Sequence, residues 1–199
     1  MKYFGAIDQG TTSTRFIVFN ENGEIVEKYQ QEHRQILPDE YSVEHNANEI
    51  WESVKTCIKV VDSKFDIVQL TSIGITNQRE TTVAWNKKTG EPLYNAIVWQ
   101  DTRTQSICDE LSIIDNLTQE FKKTGLPIAT YFSLSKILWL IRNVPEVAKN
   151  LEIDNVCFGT IDSWIIYKLT GKHLTDVSNA SRTLLLNIET GKWSEKILE

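Results

Sequence analysis

Asp8-Gln9-Gly10-Thr11-Thr12-Ser13-Thr14-Arg15 constrains the fold of this chain more than any other stretch. An apolar run, Tyr3 to Ile7, leads into it, and a second, Phe16 to Phe19, leads out. Both runs are rich in aromatic and β-branched residues, so they read as two strands joined by a tight turn containing Gly. The turn packs one carboxylate, one Gly, four consecutive hydroxyls and an Arg into eight positions.

Two readings of that turn stand side by side. In the first it is a polar hairpin, with Gly10 supplying a positive φ and Asp8 and the hydroxyls satisfying loop backbone groups. In the second it is a phosphate cradle. Gly10 lets the backbone approach an anion, Thr11, Thr12 and Ser13 donate to phosphate oxygens, and Arg15 adds charge-assisted bonds. Asp8, at a strand end, could then hold a hydrated Mg²⁺, which takes one or two carboxylates plus water and phosphate. No Gly-Lys-Ser/Thr follows and the next element reads as a strand, so neither a Walker A loop nor helix-dipole anion binding is available.

The rest of the chain starts as an antiparallel meander. Asn22-Gly23 is a strong turn signal, and a polar third strand from about Ile25 to His33 suits a sheet edge. Pro38 to His45 reads as loop. Ile50, Trp51, Val54, Cys57, Ile58 and Val61 then repeat at helical spacing over about Asn48 to Ser63, with Asn46 or Asn48 as cap. Val68 to Thr76 returns as a strand. The order β-β-β-α-β predicts an α/β fold: a mixed sheet that opens with a three-strand meander and is flanked by helices.

Asn77-Gln78-Arg79-Glu80 follows at the C-terminal end of that strand, where ligands of α/β sheets tend to bind. Thr81 to Trp85 and Leu93 to Trp99 predict a hairpin. Ile107, Leu111 and Ile114 mark a helix, and Leu117 and Phe121 a second short one. Gly125-Leu126-Pro127 is a break. Ser133 is positioned to cap a helix carrying Leu134, Ile137, Leu138 and Ile141, and Pro145 to open another. After a strand at Val156–Phe158, a helix with Ile161, Trp164, Ile165 and Leu169 ends at Gly171. Asp162, in its first turn, reads as a dipole or capping residue rather than a catalytic one. Asn179 to Arg182 reads as loop, and Trp193 to Glu199 as the start of a helix.

Composition removes several function classes. A net charge of −6 over 199 residues argues against a broad basic face for nucleic acid. Cys57, Cys108 and Cys157 are odd in number, far apart and in no CxxC pair, which disfavours a disulfide framework or zinc site. No basic-plus-apolar leader and no spanning-length apolar run occurs, so a cytoplasmic protein without membrane insertion is the expectation. His33, His45 and His173 show no metal-ligand spacing. Arg79-Glu80 reads either as a surface ion pair at a strand end or as a polyol clamp. In the clamp Glu80 accepts from hydroxyls, Arg79 donates to them, and Trp99 covers the C–H face.

Four segments carry a family resemblance: Asp8-Gln9-Gly10-Thr11-Thr12-Ser13; Gly74-Ile75-Thr76-Asn77-Gln78-Arg79-Glu80-Thr81-Thr82; Asn95-Ala96-Ile97-Val98-Trp99-Gln100-Asp101-Thr102-Arg103; and Asn179-Ala180-Ser181-Arg182-Thr183. Together they resemble the glycerol-phosphorylating members of the FGGY carbohydrate kinases, in the same order and over essentially the whole chain. Tyr131 to Trp139 resembles a signature of the wider family. The first segment suits many sugar kinases; the Asn-Gln-Arg-Glu-Thr-Thr run is more specific.

The resemblance implies an actin-like, ribonuclease H-like ATPase domain and transfer of the ATP γ-phosphate to the 3-hydroxyl of glycerol. By position, Arg79, Glu80, Trp99 and Tyr131 match glycerol-contacting residues. Asp8 matches the residue near Mg²⁺, and Gly10, Thr11, Thr12, Ser13 and Arg15 match the phosphate-side loop. Glycerol and MgATP are the implied ligands, and the full-length enzyme is expected to be a homo-oligomer. One departure is Tyr41-Ser42-Val43-Glu44-His45-Asn46-Ala47, where relatives often carry Gly-Trp-Val-Glu-His-Asp-Pro; it concerns a loop and a cap. The larger departure is length. Relatives are more than twice as long and have two domains, so residues 1–199 are expected to form an incomplete N-terminal, glycerol-binding part. The base and the adenosine-binding C-terminal domain are expected beyond Glu199, leaving this chain alone with little or no kinase activity. The alternatives are a kinase for another polyol or sugar, an inactive binding or interaction module, and an actin-like regulatory protein.

Overall fold

A computed structural model describes residues 1–199. The chain divides into two compact units, Met1–Gln35 with His45–Gln78, and Ile36–Glu44 with Arg79–Glu199.

The first unit begins with β1 (Tyr3–Gln9), β2 (Ser13–Asn20) and β3 (Ile25–Glu32). β1 and β2 pair antiparallel with Asp8 opposite Arg15 and Ile7 opposite Phe16, so the turn between them is short and in register. The alternation of β2 sends Phe16 and Val18 into the core. The later two-residue strand β4 (Glu44–His45) precedes α1 (Ala47–Asp62). Asn46 caps α1, its side chain accepting from the backbone N–H groups of Asn48 and Glu49. Ile50, Val54, Cys57 and Val61 form the buried stripe of the helix, as their spacing predicts. The chain then returns as β5 (Leu70–Asn77), parallel to β1, with Asp8 opposite Thr76. Val68 lies outside this strand, in a single 3₁₀ turn capped by Asp66. The sheet order β3-β2-β1-β5 is the mixed, meander-first arrangement that the order of elements predicts.

The second unit holds a four-stranded sheet of order β4-β7-β6-β8, which the sequence does not announce. β6 (Thr82–Asn86) pairs antiparallel with β7 (Ala96–Ile97), so the predicted hairpin exists, with a shorter second arm. The segment read as loop before His45 contains the edge strand β4, and Ile36 bridges to Glu44. Helices α2 (Gln105–Ser112), α3 (Thr118–Lys123), α4 (Ser133–Asn143) and α5 (Pro145–Glu152) follow. Strand β8 (Val156–Thr160) runs antiparallel to β6, and α6 (Ile161–Thr170) ends at Gly171, whose φ of 72° closes the helix in the left-handed region. Asn179 and Ala180, read as loop, belong to the short α7 (Val177–Ala180), while Ser181 and Arg182 follow it; β9 (Leu186–Asn187), β10 (Lys192–Trp193) and α8 (Glu195–Leu198) complete the chain.

Two expectations about α4 are corrected. Ser133 is its first residue and not a side-chain cap. Its deepest face carries Ser133, Leu134, Ser135, Lys136 and Leu140, while Ile137, Leu138 and Ile141 are only half-buried. Lys136 is buried there because backbone carbonyls of the preceding loop take its donors.

A buried ion network anchors the edge strand of this unit. Arg103 Nη2 lies 2.8 Å from both Glu44 Oε1 and Asp101 Oδ2, and its guanidinium stacks 4.7 Å over Trp139. Asp101 Oδ2 also accepts from Val43 N at 2.7 Å, and Glu44 accepts from Tyr94 and Asn95. These contacts fix the segment Tyr41–Glu44 whatever its departure from the usual residue pattern.

Candidate active site

Asp8 to Arg15 occupies the β1–β2 turn of the first unit. Gly10 N donates to Ser13 O at 2.9 Å, closing the turn. Gly10 does not have positive φ, so the hairpin reading's reason for a glycine here is not the one observed. A Cβ at Gly10 would meet Ser13 O at 3.5 Å, which leaves its outer face open to a ligand. Thr12 is exposed at the tip; Ser13 is buried and accepts from Gln30 Nε2 at 3.1 Å, facing its neighbouring strand. Arg15 Nη1 lies 3.4 Å from Asp8 Oδ2, and Arg15 Nε donates to Gln30 at 2.9 Å. The Asp8 carboxylate is one-third exposed and this ion pair is long.

A buried amide network backs the turn. Gln78 Nε2 donates to Gln9 Oε1 at 3.0 Å and reaches Gly10 O at 3.4 Å, and Gln9 Nε2 donates to Gly10 O at 2.8 Å. Gln78 Nε2 also lies 3.2 Å from His45 Nδ1, whose ring meets that of His33 at 4.7 Å. Burial pushes His45 down to about 4, with His33 adding to the effect, and lowers His33 as well.

The other candidate residues lie in the second unit. Glu80 is 5% exposed in the turn leading to β6, and Arg79 beside it is exposed. The two do not pair. Glu80 Oε1 instead accepts from Arg182 Nε at 2.7 Å. The guanidinium of Arg182 lies 5.8 Å from the Tyr131 ring and 5.0 Å from that of Phe132. Tyr131 meets Trp99 at 5.5 Å between ring centroids, and Trp99 N donates to Thr81 Oγ1, next to Glu80, at 3.3 Å. The contacts thus run in a closed circuit: Glu80, Arg182, Tyr131, Trp99, Thr81. Three of the four polyol-side residues stand together in it, and Arg79 flanks it.

Two residues of this site escape the reading of the sequence. Arg182 belongs to a segment that carries the resemblance, but nothing local pairs it with a carboxylate 102 positions away. Lys136 is fully buried, with Nζ donating to the carbonyls of Thr130, Tyr131 and Phe132. It therefore pins the backbone that carries Tyr131. Burial pushes its ammonium down to about 7, against Asp101, Cys108 and Glu80, which favour the charge. A lysine in the first turn, just before the apolar run Ile137 to Ile141, is the only sequence signal of that role.

Asp162 does more than stabilise its helix end. It is buried and accepts from the hydroxyls of Thr160 and Thr175, and burial raises its carboxyl above the ordinary range. It anchors the segment running into α7. A cavity of about 760 Å³ lies elsewhere in this unit, between α4, β8 and the last residues, and none of the candidate site residues lines it.

Comparison with known proteins adds to this geometry. Residues 3–199 match the family model described as the FGGY family of carbohydrate kinases, N-terminal domain. Glycerol kinase 2 of Streptomyces avermitilis is 50% identical over 204 aligned residues, covering 99% of this chain and 40% of its own. Among solved structures, Plasmodium falciparum glycerol kinase with ADP superposes with a TM-score of 0.88 at 41% identity, covering 99% of this chain and 40% of that one. Ligand-bound xylulose kinase from Lactobacillus acidophilus gives 0.87 at 27% identity, with 100% and 39% covered. The chain spans about 40% of the length of the curated relatives it matches. The fold is the actin-like, ribonuclease H-like one that the resemblance implies.

Proposed function

The chain belongs to the FGGY family of carbohydrate kinases, and on that premise we propose that it is the glycerol-binding, N-terminal part of an ATP-dependent glycerol kinase. The reaction moves the γ-phosphoryl group of ATP onto the 3-hydroxyl of glycerol, yielding ADP, sn-glycerol 3-phosphate and a proton. Such a transfer depends on positioning, on neutralising phosphate charge and on a base for the attacking hydroxyl.

The observation that carries this reading is the circuit of Glu80, Arg182, Tyr131, Trp99 and Thr81. A small polyol presents hydroxyl edges and an apolar C–H face. A buried carboxylate beside a pair of aromatic rings offers matching surfaces. Glu80 accepts from the hydroxyls, the exposed Arg79 donates to them, and Trp99 and Tyr131 cover the carbons. In the first unit, Gly10, Thr11, Thr12, Ser13 and Arg15 serve the phosphate side, with Thr12 and Arg15 the accessible donors. Asp8 supplies the carboxylate toward Mg²⁺, whose chemistry when bound is to neutralise phosphate charge. The base and the adenosine site are assigned to no residue of 1–199; they belong to a C-terminal domain.

The test is a competition series on the purified chain. Glycerol is expected to bind, xylulose and gluconate to compete poorly, and glycerol with MgATP to give little or no turnover. Tight binding of a pentose in preference to glycerol overturns the substrate assignment, and measurable turnover overturns the division of labour.

A further inference from the structure

Arg182 touches both the carboxylate and an aromatic ring of the proposed polyol clamp. Its Nε hydrogen-bonds Glu80, while the planar guanidinium lies over Tyr131 and Phe132. The backbone that delivers it is built with care. Asp176 caps α7 by accepting from Asn179 N and Nδ2 at 2.8 Å each. Arg182 N then bonds Asn179 O and Thr183 N bonds Ala180 O, tightening the exit of the helix. Thr183 O accepts from Leu134 N, so the turn is fastened to the start of α4 just after Tyr131 and Phe132. Next comes Leu184, fully buried with φ 65°, a left-handed conformation that a branched apolar residue adopts at a cost. The strain sits two residues from Arg182 and is held by core packing.

We propose that Arg182 is the positioning residue of the polyol clamp, fixing Glu80 and the Tyr131 ring in one geometry. The inference rests on the reading of Glu80 and Tyr131 as the clamp. The guanidinium suits the task because its planar fork can donate from Nε at its edge while an aromatic ring covers its face. By engaging Glu80 Oε1 it leaves Oε2 as the acceptor for substrate hydroxyls. It also prevents the carboxylate from turning toward Arg79. A lysine keeps the charge but cannot donate in plane and stack at once.

The test places 3-fluorotyrosine at position 131 and follows its ¹⁹F resonance in the 199-residue chain, with glycerol binding measured in parallel. R182Q and R182K are expected to move the resonance. E80Q is expected to move it too, and the R182Q/E80Q double variant no further than R182Q alone, because the two act through one contact. Glycerol affinity is expected to fall about tenfold to a hundredfold in both Arg182 variants, in line with loss of a charge-assisted hydrogen bond. R142Q, which removes a surface ion pair with Glu110 at 2.7 Å, should change neither readout. An unmoved resonance in folded R182K and R182Q, or fully additive shifts in the double variant, overturns the proposal. Absence of any glycerol response in the wild-type chain overturns the polyol reading instead, and the fluorine experiment then decides the role of Arg182 by itself.

Discussion

Glu80 Oε1 stands 2.7 Å from Arg182 Nε, joining residues 102 positions apart. The adjacent Arg79, which the sequence offers as the natural partner, is exposed and forms no ion pair with Glu80. Glu80 is therefore a buried acceptor with an engaged oxygen and not half of a strand-end surface pair. Glu80→Ala leaves the Arg182 guanidinium unpaired over two rings. Urea unfolding should show a loss of about 2 kcal/mol, the scale of a charge-assisted hydrogen bond. A change within the noise of surface substitutions contradicts this.

Arg103 serves two carboxylates at once. Glu44 and Asp101 are 3% and 0% exposed, so Arg103→Met strands two buried negative charges. The expected cost is about 3–5 kcal/mol, read as a large fall in the denaturation midpoint. The double change with Asp101→Leu should recover part of it, since the harm comes from the uncompensated charge.

His45 makes the first unit sensitive to acid. Its pKa falls to about 4 on folding from an ordinary 6.5, chiefly through burial. The unfolded chain thus binds the extra proton first as pH falls. Stability is fully present above pH 6.5 and is lost as pH drops from 6.5 toward 4. Between pH 7.5 and 5 the loss should be about 2 kcal/mol, with His33 adding in the same direction. His45→Gln should flatten most of this dependence in unfolding curves measured at the two pH values.

Gly159 lies in β8, two residues before α6, at a point where no side chain fits. A Cβ there would lie 2.6 Å from Ser163 Cβ and 2.9 Å from the Trp85 ring. Trp85 is itself fixed by edge contacts with Trp164 and His173. Gly159→Ala should therefore destabilise by about 1–3 kcal/mol through overpacking. The companion change Ser163→Gly should restore part of the loss in thermal melts.

Much of the first unit was legible in the sequence because its signals are local. The alternation of β2, the Asn46 cap, the buried stripe of α1 and the return strand each follow from residues a few positions apart. Pro145 and Gly171 marked helix ends for the same reason. The second sheet was not legible, since β4 and β7 are two residues long and carry no period. In the site, Glu80, Trp99 and Tyr131 could be named from chemistry and resemblance. Their linkage through Arg182 could not, because it is made by tertiary packing across more than half of the chain. Lys136 was hidden likewise: its partners are carbonyls, which every residue has.

The central claim is that the second unit carries a polyol clamp built on Glu80, Trp99 and Tyr131. The most direct test is the indole ¹H–¹⁵N resonance of Trp99 during a glycerol titration of the 199-residue chain. A saturable shift in the wild type that is lost in Glu80→Gln is the predicted result. A Trp99 resonance that stays still at saturating glycerol, or that shifts equally in Glu80→Gln, contradicts the claim.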